Sequence, residues 1–396
     1  MISKKIEKAL EGSSVIRAMF NEGRELAEKY GAENVYDFSL GNPATPAPEA
    51  FKQAIIDLLE ETDPMELHGY MSNSGFPDVR AAIAESLNGR FGTKFDFHNV
   101  VMTVGAAGGL NIIFKTILDP EDEVIVFAPY FGEYKHYVAN FDAKIVEVAP
   151  NYENFQPDLE EFEKKINAKT KAVIVNTPNN PTGVIYSPDT LTRLGEILCR
   201  KEKEFGTDIY LISDEPYREL VYDGNKEDFL TKYYHNTLVG YSFSKSLSLP
   251  GERIGYVVVP DEASDSKKLL EGIEISNRTL GFVNAPGLMQ KAVARCLNEK
   301  TDVAYYERNR KLLYESLEGL GFECIKPEGA FYMWVKAPGE ENEFVARGKK
   351  YNIIMVKGGA FACPGYVRLA YCTSYETIQR SIPAFEKLAA EYGLKK

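Results

Sequence analysis

The chain has 396 residues, 44% hydrophobic and 26% charged, with a formal net charge of −12. This is enough apolar material for about two or three domains. The acidic balance argues against nucleic-acid binding, which needs a basic face.

Five cysteines (Cys199, Cys296, Cys324, Cys363, Cys372) are scattered without CxxC spacing, and the four histidines show no metal-ligand spacing. The thiols therefore read as reduced, the compartment as cytoplasmic, and no metal is expected. The first residues, MISKKIEKALEGSS, hold no apolar signal core. No stretch approaches the length of a membrane span.

In chain order, residues up to Tyr30 read as amphipathic helix, with Ile6, Leu10, Leu26 and Ala27 on its core face. Seven short apolar runs rich in β-branched residues follow: NVVMT (99–103), EVIVF (123–127), KIVEV (144–148), KAVIV (171–175), IYLI (209–212), TLVGY (237–241) and GYVVV (255–259). Helical patterns lie between many of them, as at 108–117 and 189–204. Continuous apolar strands alternating with helices predict an α/β fold with a largely parallel sheet covered on both faces. From Pro286 a long helical pattern runs through Leu317. Short runs at 322–325, 331–335, 353–356 and 367–371 and a last helix from Tyr375 to Tyr392 complete the chain. The expected organisation is a large domain over 41–286, with a mostly parallel sheet of the seven-stranded type, and a small α+β domain built from both termini, 1–40 and 287–396.

Ligands of such sheets bind beyond the carboxyl ends of the strands. There KAVIV runs into Asn176-Thr177-Pro178-Asn179-Asn180-Pro181-Thr182-Gly183, a turn by composition that also presents Asn180. IYLIS ends in Asp214-Glu215-Pro216-Tyr217. A carboxylate leaving an apolar strand is either a helix cap or the partner of a buried cation. NVVMT leads to Gly105-Ala106-Ala107, small residues that open backbone N–H groups to an anion. Phe131 follows EVIVF, where it either packs in the core or stacks on a flat ring. TLVGY runs into Ser242-Phe243-Ser244-Lys245, with Arg253 eight positions beyond Lys245. Each feature has a plain structural alternative. Together an amine, a carboxylate, an anion cradle, a stacking aromatic and a guanidinium suit pyridoxal phosphate, which needs a lysine for its aldehyde and an acid for its ring nitrogen.

The segment from Ser242 to Gly255, with Ser248, Gly251 and Arg253 in place, resembles the lysine signature of the class I/II aminotransferases, the fold type I pyridoxal-phosphate enzymes. Asn180-Pro181-Thr182-Gly183 is similar to that family's NPTG element and Asp214-Glu215-Pro216-Tyr217 to its D-x-x-Y element. Tyr70, Gly75 and Val79-Arg80 resemble a further segment, and Pro364-Gly365-Tyr366-Val367-Arg368 resembles its C-terminal arginine motif. These elements run in family order over nearly the whole chain.

The resemblance implies roles. Lys245 would hold the cofactor through its aldehyde and then move the 1,3-proton. Asp214 would keep the ring nitrogen protonated. Asn180 and Tyr217 would bind the ring oxygen, and Phe131 would stack where many relatives have tryptophan. Gly105, Ala106, Ala107, Ser242 and Arg253 would cradle the phosphate, joined by Tyr70 from the second subunit of a homodimer. Arg368 would take the substrate α-carboxylate, assisted by Asn180 and Gly41. The implied reaction moves the amino group of aspartate or another common α-amino acid to 2-oxoglutarate by a ping-pong mechanism. A C–S β-lyase is the alternative on the same fold; lyase relatives often carry histidine in the segment that here reads Asn176-Thr177-Pro178-Asn179-Asn180-Pro181.

The chain departs from the pattern in places. No lysine stands at the phosphate loop. Arg278 lies near where one subgroup carries a substrate arginine, but reads first as a solvated surface charge. The segment Lys357 to Gly365 is shorter than usual before Arg368. Residues 13–17 are expected to cover the substrate entrance.

Overall fold

The computed structural model describes residues 2–11, 15–226 and 228–394. A two-residue strand, β1 (Tyr36–Asp37), precedes the seven strands of the main sheet. These are β2 (Val100–Thr103), β3 (Glu123–Phe127), β4 (Lys144–Val148), β5 (Thr170–Asn176), β6 (Tyr210–Asp214), β7 (Thr237–Ser242) and β8 (Gly255–Val258). Their spatial order is β2-β8-β7-β6-β5-β3-β4. The pairings from β7 through β6, β5 and β3 to β4 are all parallel. The expectation of a largely parallel sheet needs one refinement: β8 runs antiparallel to both its neighbours, β7 and β2.

Both faces are covered over the inner strands, which is why those read as apolar runs; the edge strand β4, KIVEV, is only partly buried. In β5, Val173 and Val175 join Leu191, Leu194 and Leu198 of the helix Pro188–Phe205. Ala172 and Ile174 join Ile112 and Ile113 of the helix Gly105–Ile117 on the other side. Each such branched side chain, taken out of water, contributes about 1.5–3 kcal/mol.

Beyond the main sheet come β9 (Cys324–Ile325), β10 (Tyr332–Lys336), β11 (Ile353–Ile354), β12 (Val356–Lys357) and β13 (Tyr366–Ala370). Four of them form a sheet ordered β12-β13-β10-β9, while β11 pairs in parallel with β1. The register sets Arg368 of β13 opposite both Trp334 and Val356.

The structure corrects two expectations. The pattern from Pro286 to Leu317 is two helices, Gly287–Ala294 and Val303–Gly319. Between them Thr301 N donates to Ser246 O at 2.7 Å, and Asp302 accepts from Tyr305 N to start the second helix. Near the N-terminus, Ile6 and Leu10 are 54% and 61% exposed rather than in the core. Their helix, Lys4–Glu11, lies on the surface and is tied there by Lys5, which donates to Asn140 O and Asp142 Oδ1. Leu26 and Ala27 are half-buried. The proposed entrance cover at 13–17 lies outside the described residues and side chains. Among the described residues, no helix is long and apolar enough to cross a membrane.

Candidate active site

The carboxyl ends of the parallel strands open onto a cavity of about 260 Å³. Its wall includes Gly41, Ala106, Ala107, Phe131, Asn180, Asp214, Tyr217, Ser242, Lys245, Arg253 and Arg368. Register brings these distant positions together: Asn176 pairs with Asp214 across β5 and β6, and Asp214 with Gly240 across β6 and β7. Lys245 then sits on the one-turn helix Phe243–Ser246, which Ser242 caps by accepting from Ser244 N.

Asp214 is buried, and its two oxygens differ. Oδ2 accepts from Tyr134 Oη at 2.5 Å, whereas Oδ1 has no partner among the described residues. Burial pushes the carboxyl up to about 7, against the lowering effect of the Tyr134 bond, and nearby Glu215 adds to the rise. The strand end is held rigidly. Asn176 Nδ2 donates to Asp214 O at 2.9 Å, and Glu215 N to Gly240 O at 2.9 Å. Behind it the buried Arg218 reaches Glu215 at 2.9 Å, Glu219 at 3.3 Å and Tyr256 Oη at 2.7 Å, so these charges are paired away from the cavity.

Lys245 Nζ donates to Gly41 O at 2.5 Å and lies over the Phe331 ring. Burial lowers its pKa to about 8; Arg368 and Arg253 push the same way, opposed by Cys372. Two cations near a desolvated amine favour its neutral form. Glycine is needed at position 41 because a Cβ there would collide with the Tyr332 hydroxyl.

Arg368 is buried. Nη1 donates to Asn180 Oδ1 at 3.0 Å and Nη2 to Ser39 O at 2.6 Å, while Nε has no partner among the described residues. The rings of Tyr332 and Phe361 lie 4.4 and 4.9 Å from its guanidinium carbon. Tyr217 and Tyr332 share a hydroxyl bond of 2.8 Å. A buried cation with a spare donor and no carboxylate in ion-pair contact among the described residues favours an incoming carboxylate.

At the other end, the helix Gly105–Ile117 starts without a side-chain cap. Its first N–H groups are therefore available to an anion. Arg253 donates to Pro250 O at 3.0 Å and Val104 O at 3.4 Å. Gly105 has φ +77°, and a Cβ there would stand 2.9 Å from Arg253 Nη2. Gly105 thus shapes the cradle without lining the cavity.

Two residues named from the sequence stand apart. Tyr70 is 95% exposed and outside the cavity of this chain. Arg278 is exposed in the last turn of the helix Ser266–Thr279, also outside the cavity. Conversely, Tyr134, Tyr137, Ser244 and Tyr332 belong to the site and were not singled out. Ser244 lay inside the lysine segment. Tyr134 follows Phe131 by one helical turn, and the two rings meet edge to face at 5.6 Å. Among the described residues no cluster of His, Cys, Asp or Glu suits a metal ion.

Residues 33–385 match the family model described as Aminotransferase class I and II, and the chain belongs to that family. It is an aminotransferase of the α/β architecture described above. Over 386 residues it is 30% identical to an aspartate aminotransferase of Thermotoga maritima, covering 96% of each chain. It is 32% identical to a probable aspartate/prephenate aminotransferase of Aquifex aeolicus, covering 93% of this chain and 94% of that one. A crystal structure of an amino transferase from Eubacterium rectale superposes with a TM-score of 0.96 at 48% identity, covering 99% of both chains.

Proposed function

We propose that the cavity takes pyridoxal phosphate and that the enzyme moves the amino group of an α-amino acid to 2-oxoglutarate in two half-reactions. The observation that carries this is Asp214, whose Oδ1 is buried and partnerless in the wall that also holds Lys245. A protonated ring nitrogen supplies the missing donor and favours the ionised carboxylate. When bound, the cofactor supplies an electron sink for the substrate's Cα.

The chain's residues supply the rest. Lys245, with its pKa near 8, presents an amine able to take the Cα proton and return it one position away. Ser242, Ser244, Arg253 and the N–H groups of Ala106 and Ala107 hold the phosphate. Asn180 and Tyr217, in the same wall, would hold the cofactor's ring oxygen, and Phe131 would pack against its ring. Arg368 offers Nε and Nη donors to the α-carboxylate over its aromatic floor. Amino acid and oxo acid carry the same carboxylate, so one arginine serves both in turn, which supports a ping-pong order.

The relatives' names, aspartate and aspartate/prephenate aminotransferase, support aspartate or another common amino acid as donor. Tyr70 completes the phosphate site from the second subunit of a homodimer, and residues 41–286 act as the cofactor-binding domain.

The test is the visible absorbance of the reconstituted protein. The band bleaches with one amino acid and returns with 2-oxoglutarate. A protein that shows no band after reconstitution, or a band that no amino acid changes, overturns the reading.

A further inference from the structure

The loop between β12 and β13 precedes Arg368 by only a few residues, and it is fastened by a carboxylate from elsewhere in the chain. Glu341 opens the helix Glu341–Lys350 and is 8% exposed. Gly359 N donates to Glu341 Oε1 and Oε2, each at 3.3 Å, and Gly365 N donates to Oε2 at 2.9 Å. One side chain thus ties both ends of the loop. Without that acceptor the N–H groups of Gly359, which is exposed, and Gly365, which is half-buried, would turn to water, and the two ends of the loop would no longer be held to one point.

What the loop carries is functional. Its 3₁₀ turn, Gly358–Phe361, places the Phe361 ring 4.9 Å from the guanidinium of Arg368. Phe361 O accepts from Tyr130 N at 3.2 Å, beside Phe131 in the cavity wall. Ala360 O lies where a Cβ on Gly132 would come within 2.8 Å. The loop therefore touches the seat of Arg368 and the ring-side loop at once. The short glycine pair is required by this packing: a Cβ on Gly359 would stand 2.8 Å from Glu341 Oε1.

We infer that Glu341 is a positioning residue for the substrate carboxylate, acting through the 358–365 loop on Phe361 and Arg368. This rests on the reading of Arg368 as the group that binds that carboxylate. Releasing the loop moves the aromatic floor and lets the guanidinium tilt. Both substrates use that seat, so both lose affinity, whereas Lys245 and Asp214 keep their places.

The test uses the holoenzyme and the variants Glu341→Ala, Glu341→Gln and Gly359→Ala. Glu341→Ala is expected to raise KM for amino acid and oxo acid alike by about tenfold, with kcat within about threefold of wild type. It also weakens binding of the unreactive dicarboxylate maleate by a similar factor, while cofactor affinity changes by less. Glu341→Gln keeps one acceptor oxygen and shifts KM by less. Gly359→Ala, with Glu341 intact, reproduces the KM effect and stands in should Glu341→Ala not fold. Wild-type values in folded Glu341→Gln and Gly359→Ala, or a loss confined to kcat or cofactor retention, overturn the inference. A wild-type protein that transaminates nothing overturns the functional reading instead.

Discussion

Tyr134 Oη donates to Asp214 Oδ2 at 2.5 Å, and that bond leaves Oδ1 as the oxygen without a partner. The tyrosine also opposes the rise in pKa that burial imposes on the carboxyl. In Tyr134→Phe the pKa therefore moves above about 7, and the ionised fraction at neutral pH falls. Cofactor retention in wild type weakens as pH drops through that value; in the variant the same loss occurs at higher pH. We expect kcat/KM at pH 7 to fall about tenfold in Tyr134→Phe and about a thousandfold in Asp214→Asn, which keeps the shape but not the charge. A pH series of cofactor dissociation constants checks the direction. An unchanged midpoint in Tyr134→Phe sinks it.

Lys245 makes a second pH prediction of opposite chemical sense. Its neutral amine is the attacking form, and its pKa is lowered to about 8 by burial. Capture of pyridoxal phosphate by the apoprotein should rise about tenfold per pH unit below that point and level off above it. A lysine of ordinary pKa would still be gaining at pH 9. Stopped-flow absorbance resolves the two curves. Lys245→Ala should fold normally and lose at least about a thousandfold in turnover.

Arg368 is predicted to act on binding more than on chemistry. Replacing it with glutamine removes charge-assisted bonds worth about 3 kcal/mol together, a factor of about a hundred in KM for both substrates. Arg368→Lys does not restore them, because an ammonium cannot span Asn180, Ser39 and a carboxylate in one plane. Steady-state kinetics on both half-reactions measure the effect; a change in one substrate alone counts against a shared seat.

Tyr70 tests the assembly. In one chain it is almost fully exposed and away from the cavity. If it reaches the phosphate of a second subunit, Tyr70→Phe weakens cofactor binding about tenfold. Sedimentation should then show a dimer. A monomer that retains cofactor as well as wild type ends the homodimer proposal.

Gly41 offers a stability test tied to the same site. A Cβ there meets the Tyr332 hydroxyl, so Gly41→Ala should destabilise by about 1–3 kcal/mol through overpacking. The added variant Tyr332→Phe removes the hydroxyl and should recover part of that loss. Thermal unfolding of the single and double variants decides it.

The main sheet was legible because burial on both faces writes its inner strands as apolar runs, whereas the edge strand β4, with Lys144 and Glu147 in KIVEV, shows the pattern only in part. The charged and turn residues at the strand ends were legible too, since Lys245, Asp214 and Asn180 stand in polar segments directly after those runs. What a local pattern cannot carry is the partner of a side chain. Tyr134 looks like any core aromatic until the fold brings it to Asp214, 80 positions away. The break at Thr301 depends on a bond to Ser246, and the surface position of Ile6 and Leu10 on what their helix rests against. Glu341 likewise reads as the first residue of a surface helix until two loop N–H groups turn toward it. The sequence by itself determined which segments are strands and which chemical groups the chain can present. Only the tertiary structure decided which oxygen, nitrogen or ring each group meets, because those contacts span residues that no local periodicity links.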